Sequence, residues 1–404
     1  MRIKDIKTKS DGQFITVEAD CKIRRFGYDK VYFKADKRHE DLICRDAGPF
    51  AASLLIPSMR QGEDLIIGGG ISKKLYNGMK AIRDIFLSWN LGLKHINIKA
   101  EDLTGDNHQP KKTASFFSGG VDSFYTYLKH KKDAEKIEYF ILINGFDINL
   151  DNSELWLSTL NNISQIAGEE KIELITVESN IRPLIDPIFP WNLTHGGCLA
   201  AAGLLLRGGI KRIYIPSSLT TEQQDPWGSN LATDKLWSTS KLEFIHDGVE
   251  TPRVNKAGRV AKSEVALRHL RVCYANKEGA YNCGNCEKCI RTMISLQIAG
   301  VLDKAETFPA NTVDLVKLSK LKIMKDNLFF DEENLAELKR KNVYPELQMA
   351  LRGCIESNKK NYPGAGLTST IPKSILLKII YLDHVYTKGK INKTFKRFKR
   401  LTFF

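Results

Sequence analysis

The sequence predicts an α/β chain: a doubly wound parallel sheet, preceded by an N-terminal α+β module and followed by a C-terminal helical extension. Two observations carry this reading. Between about Lys111 and Gly300, short apolar runs alternate with stretches of helical period, the pattern of strands covered on both faces by helices. At the first strand-to-helix junction of that region stands a glycine-rich turn, Ser118-Gly119-Gly120-Val121-Asp122-Ser123, led in by Phe116-Phe117.

The first region, 1–107, opens with period-two segments at 13–19 and 30–34, each read as a strand with one buried face. A helix is expected over 72–89 and a strand over 95–99, with Gly68-Gly69-Gly70 as a plain turn and the polar run 106–112 as a linker. In the second region, 111–300, strands are expected at 113–117, 138–143, 173–177 and 212–216, and helices after Ser123, at 154–167 and from about 195 to 207. Ligands of such sheets lie over the carboxyl ends of the strands, which selects the loops 118–123, 144–147, 178–180 and 217–240. The third region, 301–404, has helical periodicity at 312–321, 333–341 and 374–381.

With 42% hydrophobic and 27% charged residues, the 404-residue chain has material for two or three domains. Its apolar windows are too short to cross a membrane. No signal peptide opens it, so a cytoplasmic location with reduced thiols is expected. The formal net charge is +14, and residues 301–404 hold 20 Lys or Arg against 11 Asp or Glu. The end, 388–404, has seven bases, no acid and four phenylalanines, a composition suited to nucleic acid or an anionic membrane, or to a plain solvated terminus.

The chemistry concentrates in two motifs. Adjacent glycines let the backbone approach a polyanion, the following helix aims its positive end at the same place, and Ser118 and Ser123 add hydroxyl donors. Asp122 suits a helix cap or a ligand to Mg²⁺ on a nucleotide. Further on, Cys273, Cys283, Cys286 and Cys289 place half of the eight cysteines within seventeen residues, spaced C-x9-C-x2-C-x2-C. Four thiolates on so short a segment can close a tetrahedral shell, for which structural zinc is the natural occupant and an iron–sulfur cluster the rival.

The turn resembles the SGGxDS pyrophosphate loop of the N-type ATP pyrophosphatases, which cleave ATP to AMP and pyrophosphate while adenylating a substrate oxygen. Together with the cysteine motif, and with Thr251-Pro252 and Lys262-Ser263-Glu264-Val265 between them, the chain resembles the 7-cyano-7-deazaguanine synthase family. The resemblance spans about Lys111 to Gly300. It implies an adenine nucleotide alpha hydrolase-like sheet, with ATP and Mg²⁺ held by Ser118, Gly119, Gly120, Val121, Asp122 and Ser123. It also implies Zn²⁺ on the four cysteines, and catalytic roles for Asp122, Ser118 and Lys262, the last where a cation could meet phosphate. Where the family carries Tyr-Pro-Asp-Cys-Arg, this chain reads Asp225-Pro226-Trp227-Gly228-Ser229-Asn230.

The resemblance implies 7-carboxy-7-deazaguanine or a related small carboxylic acid as acceptor, and His195, Asp225 and Trp227 are read as substrate contacts. Trp227 and Trp237 are each read as a stacking platform or a loop anchor, and His195-Gly196-Gly197 as admitting substrate closely or as packing. A carboxylate oxygen would attack the α-phosphorus, and ammonia or an amine would then displace AMP; no glutaminase signature is evident. A homo-oligomer is expected. The alternatives are a tRNA-thiolating relative, for which Cys198 is the one nearby thiol, and a catalytically inactive zinc protein that binds nucleic acid.

Overall fold

The computed structural model describes residues 1–23, 27–105, 109–275 and 281–362. The first region folds as β1 (Arg2–Ser10), β2 (Phe14–Lys22), β3 (Asp29–Asp36), α1 (Gly48–Gln61), β4 (Leu65–Ser72), α2 (Lys73–Ser88) and β5 (Ile98–Thr104). The alternating region follows: β6 (Lys112–Phe116), α3 (Val121–His130), β7 (Tyr139–Asn144), α4 (Ser153–Glu170), β8 (Glu173–Ser179), α5 (Ile181–Ile185), α6 (Trp191–Leu205), β9 (Ile210–Pro216) and β10 (Glu243–Asp247). Helices complete the described chain: α7 (Arg253–Val260), α8 (Glu264–His269), α9 (Glu287–Ile298), α10 (Leu315–Ser319), α11 (Leu328–Lys341) and α12 (Pro345–Lys360).

All ten strands form one sheet, in the order β10-β9-β6-β7-β8-β3-β2-β1-β4-β5. From β10 to β8 every pairing is parallel. The N-terminal strands extend this sheet, because β3 pairs antiparallel with β8, placing Phe33 opposite Ser179 and Ala35 opposite Val177. Alternation along each strand divides the interior into two cores. Ala114, Phe116 and Ile141 point to the face packed by α1, α2 and α6, whereas Phe117, Phe140 and Leu142 point to the face covered by α3, α4, α7, α9 and the C-terminal helices. The fold is thus α/β, with a large, mostly parallel sheet.

Several elements escaped the sequence patterns for identifiable reasons. β1 buries only Ile3 fully and shows a solvated face, so its alternation is weak. α1 is buried along almost its whole length, from Gly48 to Met59, and a helix apolar on all sides has no amphipathic period. Gly68-Gly69-Gly70 is not a plain turn but part of β4, at a register shift. A Cβ on Gly68 would lie 2.6 Å from the Ile3 carbonyl oxygen, so glycine is what lets β1 pair there. The segments 374–381 and 388–404 and residues 106–108 of the linker lie outside the described residues.

Candidate active site and metal centre

Connections run outward from β6 in both directions, to β7 and β8 on one side and to β9 and β10 on the other. A crevice opens where such an order reverses, at the carboxyl ends of β6 and β9. The Ser118–Ser123 turn follows β6, and Ser217-Ser218 follow β9. Gly119 takes a φ of +73°, which the tight turn requires, and Gly120 is the residue before α3, with no side chain capping the helix. Asp122 therefore sits inside the first helical turn and is not its cap. Ser123 is turned inward, its hydroxyl donating to the Gly120 carbonyl at 3.0 Å, while Ser118 is exposed.

Asp122 joins the two sides of the crevice. Its Oδ2 accepts from Ser218 Oγ at 2.7 Å and from Arg253 Nε at 3.3 Å, while its buried Oδ1 has no hydrogen-bond partner. Burial would raise this carboxyl, but the Arg253 and Lys256 charges and the two hydrogen bonds hold it below its ordinary value. Lys256, 0% exposed, donates to the Ser217 carbonyl at 2.7 Å. Burial pushes its ammonium down against the pull of Asp122. A half-buried carboxylate oriented by a hydroxyl and two cations, beside an open helix N-terminus, can receive a metal–polyphosphate.

Lys262 is not part of this cluster. It lies two residues beyond the far end of α7, exposed, beside a shallow cavity shared with Ser295, Glu337 and Lys341. The buried cation at the turn is Lys256, six residues earlier. In the sequence Lys256 reads, like Arg253 and Arg259, either as a cation that balances phosphate or carboxylate charge or as a solvated base. Ser218 gave no signal beyond its place in a long loop.

The remaining sequence-derived residues divide. His195 lies in the second turn of α6, its ring 5.9 Å from that of Trp227 and edge-on to it. Burial pushes the His195 imidazole down, opposed by Asp147 and Asp234, which favours the neutral ring. Trp227, 36% exposed, is available for stacking, whereas Trp237, 1% exposed, is an anchor in the core. Asp225 is exposed at the loop's outer side, where its carbonyl accepts from Asn230 at 3.0 Å. Gly196 and Gly197 admit protein and not substrate: a Cβ would lie 1.9 Å from the Gly228 carbonyl oxygen and 2.5 Å from that of Ala52, respectively. Cys198 is wholly buried, and burial pushes its thiol up, which removes it as a ready nucleophile.

The four cysteines converge. The sulfurs of Cys273, Cys283, Cys286 and Cys289 all lie within 4.8 Å of one another, with 3.8 Å between Cys273 and Cys286 and 4.0 Å between Cys283 and Cys289. A tetrahedral shell with bonds of about 2.3 Å has edges of about 3.8 Å, so the set could hold a single metal ion such as zinc. Gly284, at φ +67°, turns the knuckle so that the amides of Asn285 and Cys286 donate to Cys283 Sγ at 3.5 and 3.3 Å. Asn282 ties the two halves together, donating to the Leu270 carbonyl at 2.8 Å and accepting from the amides of Val272 and Cys273 at 2.9 and 3.2 Å. The same segment supports the glycine turn, since the Arg271 amide donates to the Gly119 carbonyl at 2.8 Å.

Lys288, between two of the cysteines, is exposed. None of the helices among the described residues is long and apolar enough to cross a membrane. Compared with protein-family models, curated proteins and solved structures, the chain matches none.

Proposed function

We propose that this chain is an ATP pyrophosphatase of the synthase-like type, which adenylates the carboxylate of a small acid and passes the acyl group to ammonia or an amine. The observation that carries the reading is Asp122, held in the first turn of α3 and tied across the crevice to Ser218 and Arg253. ATP would lie with its phosphates over the Ser118–Ser123 turn. Lys256 and Arg253 would meet charge that builds on the departing pyrophosphate, and Asp122 Oδ1 would face Mg²⁺. Magnesium, held there by Asp122, would offset the phosphate charge.

The acceptor oxygen would attack the α-phosphorus, breaking its bond to the bridging oxygen of the β-phosphate. Acyl-AMP and pyrophosphate result, and the amine then displaces AMP. His195 and Trp227 form an aromatic wall that supports a planar acid, 7-carboxy-7-deazaguanine or a relative, as acceptor. Zinc is the metal proposed for the cysteines: all four positions would be filled by protein, and sulfur separations near 4 Å suit one ion better than a cluster whose cysteines bind different irons.

Incubation with ATP, Mg²⁺, ammonium and a panel of carboxylates tests the reading. AMP and pyrophosphate formed only with an acceptor present are expected. ADP and phosphate, or no acceptor-dependent turnover with any acid, would sink it.

A further inference from the structure

From sequence, 301–404 reads as a helical extension that follows the nucleotide-binding region 111–300. The contacts of α11 join the two. Pro252 precedes α7 and no side chain caps this helix from its own sequence, so its first amides need partners from elsewhere. Glu333, in the middle of α11, supplies them. Its Oε2 accepts from the Arg253 amide at 3.0 Å, the Val254 amide also donates to its carboxylate, and its Oε1 accepts from Gln223 Nε2 at 2.6 Å.

One carboxylate thus holds both the start of α7 and the loop that follows β9. A negative group at a helix N-terminus is favourable in itself, and here it fixes the residue whose guanidinium reaches Asp122. Phe330, three residues earlier on the same helix, completes the support. The Arg253 guanidinium lies 5.8 Å from its ring centroid and that of Arg291 lies 4.1 Å from it, so both cations rest on one aromatic side chain.

We infer that Glu333 is a positioning residue for the adenylation site: by capping α7 from the C-terminal region, it sets the reach of Arg253 to Asp122 and ties the Gln223 loop to the same point. The inference rests on the proposed ATP chemistry for its effect on rate, but the capping contact stands independently of it. Residues 301–360 are then part of the catalytic unit and not an appendage.

The test compares the full-length protein with Glu333→Gln, Arg253→Ala and the double variant. Glu333→Gln keeps the shape but loses the charge and one acceptor. Acceptor-dependent pyrophosphate release should lose roughly tenfold in kcat, the scale of one charged hydrogen bond, with the acceptor KM nearly unchanged and the melting temperature close to wild type. Because the effect passes through Arg253, the double variant should be no slower than Arg253→Ala alone. Amide exchange in peptides covering α7 should quicken in Glu333→Gln whether or not turnover is detected, which separates failure of the cap from failure of the proposed chemistry. Unchanged exchange, unchanged kcat in an active enzyme, or fully additive losses in the double variant would overturn the inference.

Discussion

Replacing Lys256 by Met should nearly abolish pyrophosphate release, whereas replacing Lys262 by Met should change it less than about twofold. Lys256 lies in the middle of α7 and Lys262 two residues beyond its end, and only Lys256 is buried beside Asp122. Stability moves little in Lys256→Met because two effects oppose. The Ser217 carbonyl loses its partner, a cost of about 1–3 kcal/mol, while an ammonium no longer has to be desolvated, a gain of similar order. Rate moves much more: a cation aimed at developing charge in a dry site contributes about 3 kcal/mol, or roughly a hundredfold.

A second readout follows from Asp122. Its carboxyl is held low by Arg253 and Lys256 against burial, so removing one cation raises it. If activity needs the ionised carboxylate, the acid limb of the pH–rate profile must shift to higher pH in Lys256→Met. The assay is acceptor-dependent pyrophosphate release from pH 5 to 9, with melting temperatures alongside. An equal loss in Lys262→Met, or an acid limb that stays in place, would refute the assignment of the buried lysine.

Other consequences are open to measurement. Purified protein should contain one zinc per chain, and Cys286→Ser or strong chelation should release it, lower the melting temperature and weaken ATP binding, because the segment leading to Cys273 supports the Gly119 carbonyl through the Arg271 amide; metal analysis and ATP titration check this, and unaltered ATP affinity in metal-free protein would contradict it. Burial would raise the Asp247 carboxyl, but hydrogen bonds from His130, Lys129 and Thr126 hold it at about 2, below the ordinary 3.8. Its stabilisation of about 2 kcal/mol is present above pH 4 and lost as pH falls toward 2, so Asp247→Asn should flatten the acid branch of the stability curve. His130 is raised in spite of burial by Asp247 and Asp133; its contribution is full below about pH 6.5 and lost as pH rises through the folded value, so denaturant melts of His130→Gln should lack that alkaline decline. Gly196→Ala should cost several kcal/mol, since its Cβ would meet backbone at Gly228, and a wild-type melting temperature would show that the loop can yield.

How much of this was legible depended on whether a residue's role is local. The turn at 118–123 and the cysteine spacing are local, and the structure brings each together: Gly119 has the positive φ its turn demands, and the four sulfurs converge. Strands β6 to β9 were legible because apolar runs bounded by turn residues leave a one-dimensional trace. β10 (Glu243–Asp247) left none, being five residues with two acids and a histidine. Lys256 was legible only as one of three basic residues beside the long loop, and Glu333 not at all, for a different reason. Each is an ordinary charged residue on a helix, and its role comes from what another element places against it, Asp122 in one case and the first amides of α7 in the other.

The two glycine pairs show where such a limit lies. Gly119-Gly120 and Gly196-Gly197 are alike in sequence, each near the start of a helix at the carboxyl end of the sheet, and both announce that something comes close. Sequence cannot say what. At Gly196 and Gly197 the space a Cβ would need is already taken by the backbone of Gly228 and Ala52, so those glycines lock α6 against the loop after β9 and against α1. At Gly120 the nearest neighbours of such a Cβ are Ser118 Oγ at 3.4 Å and the Arg271 carbonyl at 3.5 Å, ordinary contacts that leave the mouth of the turn open. A glycine whose Cβ space is filled builds the fold, and one such as Gly120, open beside an uncapped helix and a half-buried carboxylate, has room for a ligand. The same criterion separates Trp237, sealed in the core, from Trp227, exposed on the loop after β9. In both cases the occupancy of the space around the side chain, and not the residue type, decides between packing and binding.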